Sequence, residues 1–233
     1  MPKLSDAHHF RKTVAGACMI LAPTLFVVSA ILAPSSDNEA GPILNAIAGD
    51  PDRFYLSTVI GIAATVLLIP ALLGLMHMLR EKEVGLGHIG GGLALLGGLM
   101  FMLFWGVTLM EWQMVREGAD GAQMTALLDR FMNTTGTEVF FYFGLAFTIG
   151  LVVLALGLSR ARAVHWSTAV ALVAGAVVLQ VAFFVGNEAA YYIVAAAVLL
   201  VALGSIGLTV LSETDEEWEH TPEHRGFRPV ATH

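Results

Sequence analysis

The amino-acid sequence predicts an all-α fold: a polytopic transmembrane bundle of six helices with both termini on the inner side. Two observations carry that reading. Six apolar runs account for most of the 233 residues, and none holds a Lys, Arg, Asp or Glu in its interior. The chain is also 56% hydrophobic and only 13% charged, with a mean hydropathy of +0.73, outside the range of soluble domains. A spanning helix needs about 20 apolar residues to cross roughly 30 Å of hydrocarbon. The runs meet that length without the alternation of barrel strands, which argues against a β-barrel.

Taken in order, residues 1–13 form a short cytoplasmic segment before a first span over Val14–Ala33. This run follows Lys3, Arg11 and Lys12 and ends near Ser29, Ala30 and Ala33, so it mimics a signal peptide. Its apolar stretch is longer than the usual core of such peptides, and it reads as a retained span. The lone Cys18 lies inside it, so no disulfide framework exists. The second span covers Tyr55–Leu79 and the third Ile89–Met110. Pro23 and Pro70 break the hydrogen-bond ladders of the first and second spans and predict kinks there. In the following outer loop, Met124, Leu127, Leu128, Phe131 and Met132 recur at helical spacing. That stripe predicts an amphipathic helix over residues 121–132, with Asp129 and Arg130 on its other face, lying on the outer membrane surface or capping the bundle. The fourth span covers Val139–Leu158, the fifth Trp166–Val185 and the sixth Ala189–Leu211. Residues 212–233 form an acidic cytoplasmic tail. Thr214 and Glu217 have capping-box spacing and His220 and His224 lie one turn apart, but the charge and the Pro222, Gly226, Pro229 scatter favour disorder.

Orientation follows from the basic residues. One side collects nine (Lys3, Arg11, Lys12, Arg80, Lys82, Arg160, Arg162, Arg225 and Arg228) and the other only Arg53, Arg116 and Arg130. The excess places both termini in the cytoplasm of a bacterial-type plasma membrane. The net charge of −7 and the acidic tail argue against nucleic acid or anionic lipid headgroups as partners; membrane lipid itself is the surrounding medium.

Two stretches resemble each other. His88-Ile-Gly-Gly-Gly-Leu-Ala-Leu-Leu-Gly-Gly98 opens the third span and His165-Trp-Ser-Thr-Ala-Val-Ala-Leu-Val-Ala-Gly175 the fifth, an offset that also carries Glu111 onto Glu188. Both hairpins run in the same sense, so the pattern is an internal parallel repeat. Ala94 with Gly98, and Ala171 with Gly175, are small-xxx-small pairs that let helix backbones approach closely, which predicts that the third and fifth spans are central. The Gly-rich face of the third span also suits another protomer, so a homo-oligomer stays open.

The segments Asp50-Pro-Asp-Arg-Phe-Tyr-Leu-Ser57, Ile69-Pro-Ala-Leu-Leu-Gly-Leu75, Leu93-Ala-Leu-Leu-Gly-Gly98 and Gly157-Leu-Ser-Arg-Ala-Arg-Ala-Val-His-Trp-Ser167 together resemble a family of six-span integral membrane proteins common in actinobacterial genomes. The resemblance covers nearly the whole chain and implies the topology; it implies no activity, cofactor or substrate.

Candidate chemistry concentrates at the outer span ends. Glu111, Glu138 and Glu188 sit there, with Trp105, Trp112, Phe141, Tyr142, Tyr191 and Tyr192 nearby and Gln180 and Asn187 adding polar groups. Converging carboxylates with aromatic walls suit a cation or amphipathic ligand. The same residues also fit interfacial charges and an aromatic belt. His77, His88 and His165, near the inner face, form a weaker set for zinc or haem iron, and Met110 and Met114 one for Cu(I). No phosphate loop, HExxH, nucleophile elbow or CxxC is present, so no catalytic site is recognisable. The reading is a ligand-binding protein or an accessory subunit of a larger membrane complex, with a small transporter or channel for a cation or amphipathic molecule as the alternative. It points to no particular cofactor.

Overall fold

A computed structural model describes residues 4–37, 39–116, 118–134, 138–185 and 189–220. All regular structure among them is helical: α1 Leu4–Leu32, α2 Ala40–Gly49, α3 Pro51–Met78, α4 Val84–Met114, α5 Gly121–Met132, α6 Glu138–Arg160, α7 Trp166–Val185, α8 Ala189–Ser212 and α9 Asp215–Trp218. Among the described residues four stretches, Ala7–Leu32, Pro51–Met78, Val84–Met114 and Ala189–Ser212, are long and apolar enough to cross a membrane, which marks the chain as membrane-embedded. Local chemistry sets several starts. The Asp50 carboxylate accepts from the Arg53 N–H at 3.1 Å with Pro51 at the first helical position, and Asp120 accepts from the N–H groups of Ala122 and Gln123. α1 and α3 continue through Pro23 and Pro70.

The long helices close into a ring. α1 packs on α3 and α8, α3 on α4, α4 on α6, α6 on α7, and α7 on α8. No helix is central among the described residues. This corrects the expectation that the helices at 84–114 and 166–185 form the bundle's middle, since α4 is the least buried of the four long apolar helices. Small residues do bring backbones together, but at other positions than the repeat suggests. A Cβ on Gly90 would lie 2.8 Å from the Leu154 nitrogen, and Cβ atoms on Gly97 and Gly150 would collide with the Phe147 and Ala94 backbone nitrogens. Gly98, by contrast, has open space beside it. On the opposite side of the ring, a Cβ on Gly207 of α8 would lie 2.6 Å from the Gly16 carbonyl oxygen of α1. Where lipid supplies no hydrophobic drive, such approaches hold helices together by van der Waals contact.

One end of the ring, the tail end, is closed by α9. Residues 213–220, just after α8, are not irregular: Thr214 and Glu217 form a capping box, and Trp218 is only 3% exposed. The rest of the tail, with Pro222, His224, Gly226 and Pro229, lies outside the described residues. The Trp218 ring stacks on His77 at 4.6 Å, and its carbonyl accepts from His77 Nε2 and from the Arg80 guanidinium, each at 3.2 Å. Lys12 of α1, buried, donates to the Glu213 carbonyl at 2.7 Å and pairs with Asp215 at 2.6 Å. His8 bonds Glu219, His9 pairs with Asp215 and His220 with Glu81. The short helix therefore bolts α1 to α3. Hydrogen bonds from Lys12 and His9 hold the Asp215 carboxyl below its usual range, and the bond from His8, aided by Arg80, does the same for Glu219. Burial pushes Glu213 the other way.

The opposite end, the lid end, carries α2 and α5. The sequence reading places no helix between residues 33 and 55; α2 is there because Ile43, Leu44 and Ile47 share a face that buries against Leu128 of α5 and Phe54 of α3. α5 packs on α2 and α4 and so caps the ring. Its apolar stripe splits: Leu128 is buried with Met124 and Met132 packed beside it, while Leu127 and Phe131 stay exposed.

Two outcomes follow. Replacing Gly150 by Leu pushes α4 from α6 and lowers stability by about 2 kcal/mol or more, as overpacking does. Gly92→Ala, where nothing stands within 4 Å, changes it by no more than about 0.5 kcal/mol; thermal unfolding in detergent reads both. The α9 contact depends on pH. Because folded Asp215 and Glu219 lie below their unfolded values, their contribution is complete above the ordinary carboxylate range and lost as pH falls through their depressed values. Glu213 alone acts oppositely. Acrylamide quenching of wild type against Trp218→Phe shows Trp218 shielded at neutral pH and exposed in acid; shielding that persists in acid refutes the linkage.

Candidate functional site

Between the tail-end core and the lid, the ring holds a partly open cavity of about 1480 Å³. Its floor is where the tight contacts end: Phe101 and Phe147 meet edge to face at 5.0 Å, with Leu68, Leu151, Leu199 and Leu203 around them. Its roof is α2 and α5, through Leu44, Ile47, Thr125 and Leu128. The wall is mostly apolar with a few fixed polar groups, the usual make-up of a small-molecule site.

Those groups divide by whether they are satisfied. Ser29 and Ser57 exchange hydrogen bonds with each other's backbone carbonyls at 2.9 and 2.8 Å and tie α1 to α3. Thr58 donates to the Phe54 carbonyl, and Thr108 to the Trp105 carbonyl. Near the floor, Thr148 of α6 donates to Gln180 Oε1 of α7 at 3.1 Å. That leaves Gln180 Nε2 buried without a partner. On the α4 wall, Glu111 is partly buried, and among the described residues no hydrogen bond or ion pair engages its carboxylate.

Of the residues singled out from the sequence, Glu111, Trp105, Gln180, Tyr192 and Met114 line this cavity. Trp105 lies across Gly61 and donates from Nε1 to the Thr65 hydroxyl at 2.9 Å. Trp112 lies outside the cavity wall, tilted against Tyr55 at 4.7 Å with the Arg116 guanidinium 5.0 Å over its ring and its Nε1 buried without a partner. Tyr142 is 68% exposed and does not face the cavity. Glu138 opens α6 with its side chain outside the described set, and Asn187 and Glu188 lie outside the described residues.

The other sets are dispersed. His77 is engaged by Trp218, His88 Nδ1 donates to the Val84 carbonyl of its own helix at 2.8 Å, and His165 bonds Ser167 at the start of α7. Among the described residues no three His, Cys, Asp or Glu side chains converge where a metal ion fits. Met110 and Met114 share a shallow surface groove with Met124 and Leu127.

Sequence reasoning missed Thr148, the Ser29–Ser57 pair, Arg116 and Asp129. Asp129 lines the cavity instead of facing away from the membrane. Thr148 lies four residues beyond Gly144 in a run of apolar residues, a signal visible only once α7 is known to be its neighbour.

No family model matches the chain, and no curated protein or solved structure matches it either. The resemblance noted from the sequence rests on its motifs alone.

The Thr148–Gln180 pair gives a direct check. Thr148→Val alone strands the second amide atom and costs about 1–2 kcal/mol, whereas Thr148→Val with Gln180→Leu removes both polar groups and regains stability. Thermal unfolding of the single and double variants measures the difference.

Proposed function

We propose that this protein is a six-span integral membrane protein of a bacterial plasma membrane that binds an amphipathic small molecule in an outward-facing cavity. In this reading α1, α3, α4, α6, α7 and α8 are the spans, both termini are cytoplasmic, and the related α3–α4 and α6–α7 hairpins descend from a duplication. The one-sided distribution of Lys and Arg supports that orientation, because the basic side is the tail end. The observation that carries the function is the cavity itself: a large apolar volume confined to one half of the ring and roofed by two amphipathic helices.

Binding is favoured over conduction by the tail-end half. Leu72, Leu75, Leu154, Leu158, Leu172 and Val210 fill it almost completely, so the cavity is blind. A carrier or channel would have to part that plug. Binding alone suits a receptor or an accessory subunit, with the occupant held at the outer side of the bundle.

Gly144 supplies the test, because a Cβ there meets only Gln180 Oε1, at 3.8 Å. Gly144→Leu therefore projects a side chain into the cavity near Gln180 without forcing helices apart. Native mass spectrometry of gently extracted wild type is expected to show added mass of a small amphipathic molecule, lost in Gly144→Leu and retained in Gly92→Leu. Bare wild-type protein, or an adduct indifferent to Gly144→Leu, refutes the reading.

A further inference from the structure

Given a ligand-binding cavity, the charge around it points to what it takes. Among the described residues lining the wall, the charged side chains are Glu39, Glu111 and Asp129 against Arg116 alone. Arg116 is held over the Trp112 ring, its guanidinium 5.0 Å from the ring centroid, so three carboxylates stand against one cation. The lid end is therefore an acidic mouth. Glu111 is the member that projects from a spanning helix into the cavity, and no protein cation or hydrogen-bond donor meets it among the described residues. A carboxylate taken partly out of water and left unpaired is costly, and its natural complement is a cation.

Below Glu111 the wall turns apolar and aromatic. Thr108, Trp105 and Phe101 descend the same helix, and Phe147 and Leu151 face them from α6. At the rise of an α-helix, the drop from Glu111 to Phe101 is about 15 Å. The cavity thus pairs one carboxylate near its mouth with a deep apolar pit floored by aromatic rings.

We propose that the ligand is a cationic amphiphile, an organic monocation with an extended apolar body, and that Glu111 is its counter-ion. The head sits at the level of Glu111, where the aromatic face of Trp105 below it also favours positive charge. The apolar body lies on Phe101, Phe147, Leu151 and Leu203. An anionic amphiphile of the same length would meet three carboxylates and be rejected, so selectivity arises from repulsion as much as from attraction.

This inference rests on the binding reading above, and the experiment separates their failures. The protein in nanodiscs of zwitterionic lipid is titrated with dodecyltrimethylammonium, dodecanol and dodecyl sulfate below their micellar concentrations, and thermal stabilisation is read. The expected result is stabilisation by the ammonium at concentrations at least tenfold below those needed for the alcohol, and none by the sulfate. Glu111→Gln is expected to erase the preference for the cation, bringing it to within about threefold of the alcohol, while Glu111→Asp keeps it. Gly144→Leu should abolish all stabilisation. Equal response to the three probes, abolished by Gly144→Leu, overturns the cation assignment and leaves the binding cavity standing. Cation preference unchanged in Glu111→Gln overturns the role of Glu111. Responses that survive Gly144→Leu place the probes outside the cavity and overturn both.

Discussion

Backbone contact between helices at one end of the ring is the constraint on which the rest depends. At Gly90, Gly97 and Gly150 the α4 and α6 backbones touch, and at Gly16 and Gly207 those of α1 and α8 do. Gly90, Gly16 and Gly207 lie on the tail side of the cavity floor, and Gly97 and Gly150 stand level with it. Toward the lid end the facing residues grow, with Phe101, Trp105 and Phe147 between the helices. A ring pinched by glycine at one end and wedged by aromatics at the other widens along its axis. The cavity is the geometric consequence, and α2 and α5 cover what the wedge leaves open.

The same taper separates two kinds of polar chemistry. At the tail end every element that leaves the ring is tied to another: Lys12 to Glu213 and Asp215, Arg80 to the Trp218 carbonyl, His8 to Glu219. These contacts clamp α1 and α3, which the Ser29–Ser57 exchange also joins near the lid. The α1–α3 pair is thus fixed at both ends, and it is the frame against which α4, α6 and α7 are set. Surface ion pairs are individually weak, but a buried Lys12 and a buried Trp218 make this a docked segment and not a set of chance pairings.

How much of this was legible in the sequence depends on which physical signal each feature leaves. Long uncharged runs announce apolar helices, and the spacing of Met124, Leu128 and Met132 announces α5. The helix α2 leaves less trace, because its apolar face is only Ile43, Leu44 and Ile47 in a short stretch containing Gly41 and Pro42. Small residues mark close approach without naming the partner, which is why the repeat-based pair Ala94–Gly98 pointed to a central helix. Ala94 does meet α6, yet Gly98 faces open space. Glu111, Trp105 and Gln180 were found because polar or indole groups in apolar runs are conspicuous. Tyr142 was misplaced because sequence gives its height along the bundle but not its azimuth, and the three histidines were grouped by height alone.

The polar groups inside the ring sort by what could satisfy them. Ser29, Ser57, Thr58, Thr65, Thr108 and Trp105 all find protein partners, and each such bond joins a helix to itself or to its neighbour. Gln180 Nε2 does not, nor does Glu111 among the described residues. Both lie on the cavity wall, one near its floor and one near its mouth. An orphaned donor out of water costs about 1–3 kcal/mol and an unpaired carboxylate more. Trp112 Nε1 and Glu213 Oε2 are also buried without partners and lie off the cavity wall, so an unpaired group by itself does not mark the site. Glu111 and Gln180 differ in lying on that wall, the one surface that an occupant would touch.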